Sequence, residues 1–226
     1  MKLLRHIPNA LTCLNLFSGC LGIIAVWNGK IETAILYVVI ACVFDFLDGF
    51  AARALKVSSA IGKELDSLAD MVSFGLLPSL VMYTMIDTLS SSEYLPYTAF
   101  GLAIFSALRL AKFNVDENQK DSFIGLPTPA NALFITSLVH LQSPWDTFIS
   151  QDIFLVPITL TCCFLLVAPF ELFALKFKSF TWRDNSLKFT FIVFAVLLLA
   201  IWQLSAMPFI ILTYVGISLL RVWVRF

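Results

Sequence analysis

Charge is scarce in this chain. Only 13% of its 226 residues are Asp, Glu, Lys or Arg, and fifteen basic residues cancel fifteen acidic ones. A neutral chain has no global field to gather nucleic acid, and no nucleic-acid partner is expected. Histidine is nearly missing: His6 and His140 stand alone, and His140 falls far from the acidic residues. The five cysteines (Cys13, Cys20, Cys42, Cys162, Cys163) all lie in apolar stretches and lack metal-ligand spacing. A disulfide framework is therefore not expected. There is no internal repeat, low-complexity tract or composition break, so residues 1–226 read as a single membrane-embedded domain. No cleavable leader is expected either. The first apolar stretch carries Asn9, Thr12 and Asn15 and lacks a small-residue cleavage site.

What fills the chain instead is apolar sequence, with 59% hydrophobic residues and a mean hydropathy of +0.89. Apolar runs of about 20 residues predict membrane-spanning helices, here about eight, over roughly 7–27, 31–56, 61–86, 94–114, 127–143, 152–174, 186–204 and 207–224. The fold expected is an all-α polytopic membrane bundle. Six spans plus two interfacial helices is the alternative, because the fifth run is short and the last two are parted only by a turn around Pro208. With Met1 placed in the cytosol and sides alternating, fourteen of the fifteen Lys and Arg residues fall inside, and Lys30 alone falls outside. The loops around 87–93 and 144–151 hold no basic residue. The expectation is an inner (cytoplasmic) membrane protein whose working face meets the cytosol and an anionic leaflet. Trp27, Trp145, Trp182, Trp202 and Trp223 lie near span ends, as an aromatic belt requires.

Against this background four acids stand out. The chain reads Asp45-Phe-Leu-Asp48-Gly49-Phe-Ala-Ala52-Arg53, then eight residues, then Gly62-Lys-Glu-Leu-Asp66-Ser-Leu-Ala-Asp70. Carboxylates in a bilayer are costly and mark a polar cavity, a partner or a function. Asp45 and Asp48 share one helix face at i, i+3, and Asp66 and Asp70 share another at i, i+4. Arg53 to Asp45 runs eight residues up one helix, and Gly62 to Asp70 runs eight up the next in the opposite sense. Each acid pair then reaches about 12 Å from the inner boundary at matching depth. Two such faces meeting across a short turn form a cage of oxygen ligands suited to hard divalent cations. Gly49, Ala52 and Gly62 interleave with the acids. Each small residue alone argues for helix packing, but together they argue for a bulky ligand.

The pattern D-x-x-D-G-x-x-A-R, eight residues, G-x-x-x-D-x-x-x-D resembles the signature of the CDP-alcohol phosphotransferase family. All eight fixed positions match: Asp45, Asp48, Gly49, Ala52, Arg53, Gly62, Asp66 and Asp70. Val72-Ser-Phe-Gly75, Arg109-Leu-Ala-Lys112-Phe-Asn114 and Gly125-Leu-Pro127-Thr-Pro129-Ala resemble its phosphatidylserine synthase branch, with Lys112 standing where that branch often has Arg. The resemblance implies transfer of a phosphatidyl group from CDP-diacylglycerol to L-serine, releasing CMP. It also implies two divalent ions, Mg²⁺ or Mn²⁺, to balance the diphosphate. Asp45, Asp48, Asp66 and Asp70 would be ligands, with Asp70 also the general base. Gly49, Ala52, Arg53 and Gly62 would bind the CDP-lipid. By position, Thr12 is a further candidate for that lipid, and Arg109 and Lys112, at the inner end of the fourth span, either receive the serine carboxylate or a substrate phosphate or serve as inner anchors. The resemblance further implies a homodimer among membrane lipids.

Rival readings keep the same acids. A sibling enzyme would use glycerol 3-phosphate or inositol. A divalent-cation transporter would want polar groups continuing to the outer side, and the outer halves of these spans show almost none. Asn9, Thr12 and Asn15 share one face of the first helix, where they either touch the nucleotide or glue helices together. Gly125-Leu-Pro127-Thr-Pro129 either shapes the alcohol pocket or only starts a helix. Glu171, placed inside the sixth span, has no partner in this scheme.

Overall fold

A computed structural model of the chain describes residues 6–57, 59–115, 123–172 and 182–224. Helix α1 (Ile7–Trp27) carries Pro8 in its first turn, where a missing N–H costs nothing. Gly29, at φ +76°, turns the chain back. Helix α2 (Ala34–Ala54) returns beside α1. Ser59 caps α3 (Ala60–Asp70), its hydroxyl accepting the Gly62 N–H at 2.9 Å. From α3 the helix runs on through a π-helical turn, Met71–Leu76, into α4 (Leu77–Leu89). A 3₁₀ segment, Leu95–Phe100, leads into α5 (Gly101–Val115). Then follow α6 (Thr128–Ser137), the single turn α7 (Asp146–Ile149), α8 (Asp152–Val167), α9 (Trp182–Trp202) and α10 (Met207–Val224).

One cluster of buried side chains, including Val38, Phe74, Leu77, Met82, Ile86, Leu102, Ile135 and Leu155, joins α2, α4, α5, α6 and α8. A smaller one, with Leu126, Phe191, Ile210 and Tyr214, seats α9 and α10. Outside these cores the helices present apolar side chains to their surroundings. On α2 the stacked rings of Phe46 and Phe50, 6.5 Å between centroids, are 65% and 57% exposed. So wide an apolar surface suits lipid and not water.

Among the described residues, five stretches are long and apolar enough to cross a membrane: Ile7–Trp27, Ile31–Ala54, Ala60–Leu89, Leu95–Val115 and Asn185–Arg221. The last is folded at Gln203, which takes φ +50° before a 3₁₀ turn, Gln203–Ala206. The rings of Phe191 and Tyr214 consequently meet at 6.0 Å, so α9 and α10 form a hairpin. Each of the eight expected runs holds a helix, but two are shorter than expected. The fifth is the ten residues Thr128–Ser137 plus a 3₁₀ turn, Leu138–His140. The sixth stops at Val167. Ala168, preceding Pro169, goes extended (φ −61°, ψ 139°), because proline's ring excludes the helical conformation from the residue before it. Glu171 is thereby removed from that helix: its backbone forms a two-residue antiparallel pairing of Glu171–Leu172 with Phe123–Ile124. Gly125, at φ +72°, makes this pairing close enough to work. A Cβ there would lie 2.6 Å from the Leu166 carbonyl oxygen.

Candidate active site

Helix α3 follows α2 closely in the chain, and three of the four predicted acids, two on α2 and one on α3, come together. Asp45, Asp48 and Asp66 each bring one carboxylate oxygen to within 4.8 Å of the others. At that separation and an effective dielectric near 20, each ionised pair repels by roughly 3–4 kcal/mol. The trio therefore calls for a counter-cation. Oxygens on opposite sides of a Mg²⁺ ion lie about 4.2 Å apart. The donor set is all oxygen, the choice of hard divalent ions, and Asp66 Oδ1 is buried without a hydrogen-bond partner. These residues fit a divalent metal.

The polar face of α1 orients the acids. Thr12 Oγ1 donates to Asp48 Oδ2 at 2.6 Å, with the Pro8 carbonyl oxygen 3.0 Å away as the competing acceptor. Asn15 Nδ2 donates to Asp70 Oδ1 at 3.0 Å, and Ser73 Oγ holds Asn15 by donating to its carbonyl oxygen at 3.0 Å. Gly19 lets this happen: a side chain there would run into Ser73. Asp48 and Asp70 are buried, 7% and 8% exposed. Asp70 stands outside the close trio, tied to α1 rather than gathered with the other three.

Beside the trio lies a cavity of about 590 Å³, bounded by Pro8, Asn9 and Thr12 of α1, Asp48, Gly49 and Ala52 of α2, Lys56 and Val57 of the turn, and Ser59, Gly62, Lys63 and Asp66 around the start of α3. Its glycines are placed for close approach. A Cβ on Gly62 would sit 3.0 Å from both Asn9 Oδ1 and Ser59 Oγ. Over Gly49 a Cβ would meet Arg53 Nη1 at 3.4 Å, so the guanidinium folds back along α2. Lys56 holds φ +53°, uncommon for a residue with a side chain, at the cavity rim.

Of the residues singled out in the sequence, Thr12, Asp48, Gly49, Ala52, Gly62 and Asp66 line this cavity. Arg109 and Lys112 do not. They sit on α5 beside Ile124 and Leu166, around a void of about 20 Å³. Lys112 is exposed, whereas Arg109 is half-buried, has a partnerless Nε and lies within electrostatic reach of Asp70. The helix-face reading of Asn9, Thr12 and Asn15 resolves into two acid-orienting hydrogen bonds and one close packing contact. Lys56 and Lys63 were legible only as inward positive charge, although both line the cavity. Lys63 Nζ also donates to the Asn114 carbonyl oxygen at 2.7 Å, and Asn114 Nδ2 donates to Ser67 Oγ at 2.9 Å. The Arg109–Asn114 segment thus locks α5 against α3. The far end has its own tie: His140 Nε2 meets the Glu32 carbonyl oxygen at 2.9 Å, and Ser205 Oγ donates to the His140 carbonyl.

Fold and site together define a polytopic helical membrane protein with a nest of acids beside a polar cavity. The sequence model of the family described as CDP-alcohol phosphatidyltransferase matches residues 5–164, and the chain belongs to that family. Its curated relatives are narrower in name. The chain is 35% identical over 142 residues to a CDP-diacylglycerol–serine O-phosphatidyltransferase of Bacillus subtilis (strain 168), covering 62% of this chain and 79% of the relative. Proteins of the same name from Helicobacter pylori (strain J99) and Methanocaldococcus jannaschii are 36% and 35% identical over 140 and 135 residues. Those matches cover 61% and 60% of this chain, and 59% and 61% of the relatives.

Proposed function

We propose that this protein transfers a phosphatidyl group from CDP-diacylglycerol to L-serine, yielding phosphatidylserine and CMP. The observation that carries the reading is the meeting of Asp45, Asp48 and Asp66 within 4.8 Å, with Asp70 held separately by Asn15. That division suits two jobs. The trio, with Asp70 at its edge, would hold two divalent ions, Mg²⁺ or Mn²⁺. Bound there, the ions would neutralise the diphosphate and the departing CMP.

The remaining work falls to the chain itself. The cavity at Gly49, Ala52 and Gly62 accommodates the cytidine nucleotide, while the acyl chains stay among the helices. Arg53, Lys56 and Lys63 offer countercharge to phosphate at the rim. Asp70 accepts the proton of the serine hydroxyl. The serine oxygen bonds to the lipid-bearing phosphorus as the bond from that phosphorus to the CMP oxygen breaks. Arg109 receives the serine carboxylate as a planar fork, and Lys112 adds charge nearby. The active site faces the cytosol from the inner membrane, residues 1–226 act as one domain, and two copies associate as a homodimer. A cation transporter is disfavoured, since beyond the acids the core is mainly apolar and its buried hydroxyls at Ser79, Thr136, Ser137 and Thr159 are each bonded to a backbone carbonyl one turn back.

The test is an acceptor panel. Purified protein with CDP-diacylglycerol and Mn²⁺ or Mg²⁺ should release CMP with L-serine and leave inositol and glycerol 3-phosphate largely untouched. Efficient transfer to glycerol 3-phosphate with serine inert would keep the family and overturn the substrate.

A further inference from the structure

Beyond the acids, the bundle holds a second set of polar side chains with nothing to bind. Ser106, Thr128 and Asn131 are fully buried. The Ser106 hydroxyl, the Thr128 hydroxyl and both amide atoms of Asn131 lack any hydrogen-bond partner, as does Arg109 Nε. Each such atom carries an uncompensated desolvation penalty if left unpaired. Other buried hydroxyls of the bundle behave differently. Ser79, Thr136, Ser137 and Thr159 each bond a backbone carbonyl one turn back, at 2.7–2.8 Å. Among the buried hydroxyls of the described residues Ser106 and Thr128 are the exceptions, and outside the unpaired set the only buried neutral side-chain atom there left without a partner is Asn15 Oδ1, beside Asp70.

The four residues lie on two helices that pack on one and the same turn. Ser106 and Arg109 share a face of α5 at i, i+3, and Thr128 and Asn131 share a face of α6 at the same spacing. Both helices pack on the π-helical turn Met71–Leu76 that directly follows Asp70. A Cβ on Gly75 of that turn would lie 3.2 Å from the Ser106 Cβ, and Arg109 is within electrostatic reach of Asp70. None of the four lines the polar cavity on the α1 side. π-helical turns recur at functional sites because they re-aim the side chains around them.

Resting on the phosphatidyl-transfer reading, we propose that Asn131, with Thr128 and Ser106, forms the wall of a separate acceptor compartment that reads the ammonium group of the incoming amino alcohol. The chemistry of the set selects that ligand. Asn131 Oδ1 and the two hydroxyls are neutral acceptors, which an ammonium donates to. Arg109 and Asn131 Nδ2 are donors, which a carboxylate accepts from. Together they match a zwitterion of zero net charge. A phosphate dianion would find among these four residues a single cationic group, the Arg109 guanidinium, against its two charges.

The experiment uses the full chain in detergent with CDP-diacylglycerol and Mn²⁺, comparing L-serine with 3-hydroxypropionate, which keeps the hydroxyl and carboxylate but lacks the ammonium. Asn131→Ala and Thr128→Val should each raise KM for serine by tenfold or more and leave KM for CDP-diacylglycerol within twofold. The preference for serine over 3-hydroxypropionate should shrink by a similar factor. Asn131→Leu, which keeps the volume, serves if the alanine variant melts early. An unchanged serine KM and preference in folded Asn131→Leu and Thr128→Val would overturn the proposal and would mean that the amide is satisfied by water alone. A wild-type protein that ignores serine overturns the proposed function instead, and the two failures are read from separate arms.

Discussion

Thr12 acts through a single hydrogen bond. Replacing it with Val keeps the shape of α1 but leaves Asp48 Oδ2 without its 2.6 Å donor. Partners of this kind set the orientation of a ligand and typically change metal affinity by about 10- to 100-fold. Thr12→Val should therefore weaken Mn²⁺ binding by about tenfold or more, read by titration of the spin signal of the free ion. Asp66→Asn should do more. It removes a charge from the trio and should abolish both turnover and divalent-ion binding; full activity in excess EDTA would sink the metal reading. Asp70→Asn should separate binding from chemistry. CDP-diacylglycerol should still bind, while product formation falls by roughly 10²-fold or more. Loss of lipid-nucleotide binding equal to that of the trio variants would make Asp70 chiefly a ligand.

At the scale of elements, the turn Gly125–Pro127 decides whether α6 starts in the right place. The Gly125 N–H donates to the Phe170 carbonyl oxygen at 3.1 Å and that of Leu126 to the Leu165 carbonyl oxygen at 2.8 Å, so the start of α6 hangs on the end of α8. Gly125→Ala adds a Cβ against the Leu166 carbonyl at φ +72°. The cost is on the order of 2 kcal/mol, seen as a loss of several degrees in the melting midpoint in detergent. How well each element could be read from sequence follows from the kind of signal it carries. Helices α1 to α5 announce themselves by long apolar runs, and the spacing of Asp45, Asp48, Asp66 and Asp70 placed the acids on facing surfaces. The π-helical turn at Met71–Leu76 left no trace, because one extra residue in a helical turn does not disturb an apolar pattern. The early end of α8 was legible in Pro169, but the apolar run through it masked the stop. The partnerless atoms of Ser106 and Asn131 were invisible, since only three-dimensional packing tells a satisfied polar side chain from an orphan.

For the whole molecule, four of the described cations sit at the end of the bundle that holds the cavity mouth. Arg53, Lys56, Lys63 and Lys112 are there, while Lys30 lies at the other. With the five native cysteines replaced, a cysteine at Ser90 should react with an impermeant reagent in intact cells, and one at Ala54 should not. The reverse pattern would put the site on the wrong side for cytosolic serine. The stacked Phe46 and Phe50 carry one more consequence. They line the outer face of the very helix whose inner face bears Asp45 and Gly49. A molecule with its diphosphate among the acids and its tails against those rings never leaves the plane of the bilayer, so the enzyme meets it in two dimensions. Below saturation, turnover should follow the mole fraction of CDP-diacylglycerol in the micelle. Doubling detergent at constant lipid should roughly halve the rate, whereas doubling buffer volume at a fixed lipid-to-detergent ratio and constant serine should leave turnover per enzyme nearly unchanged.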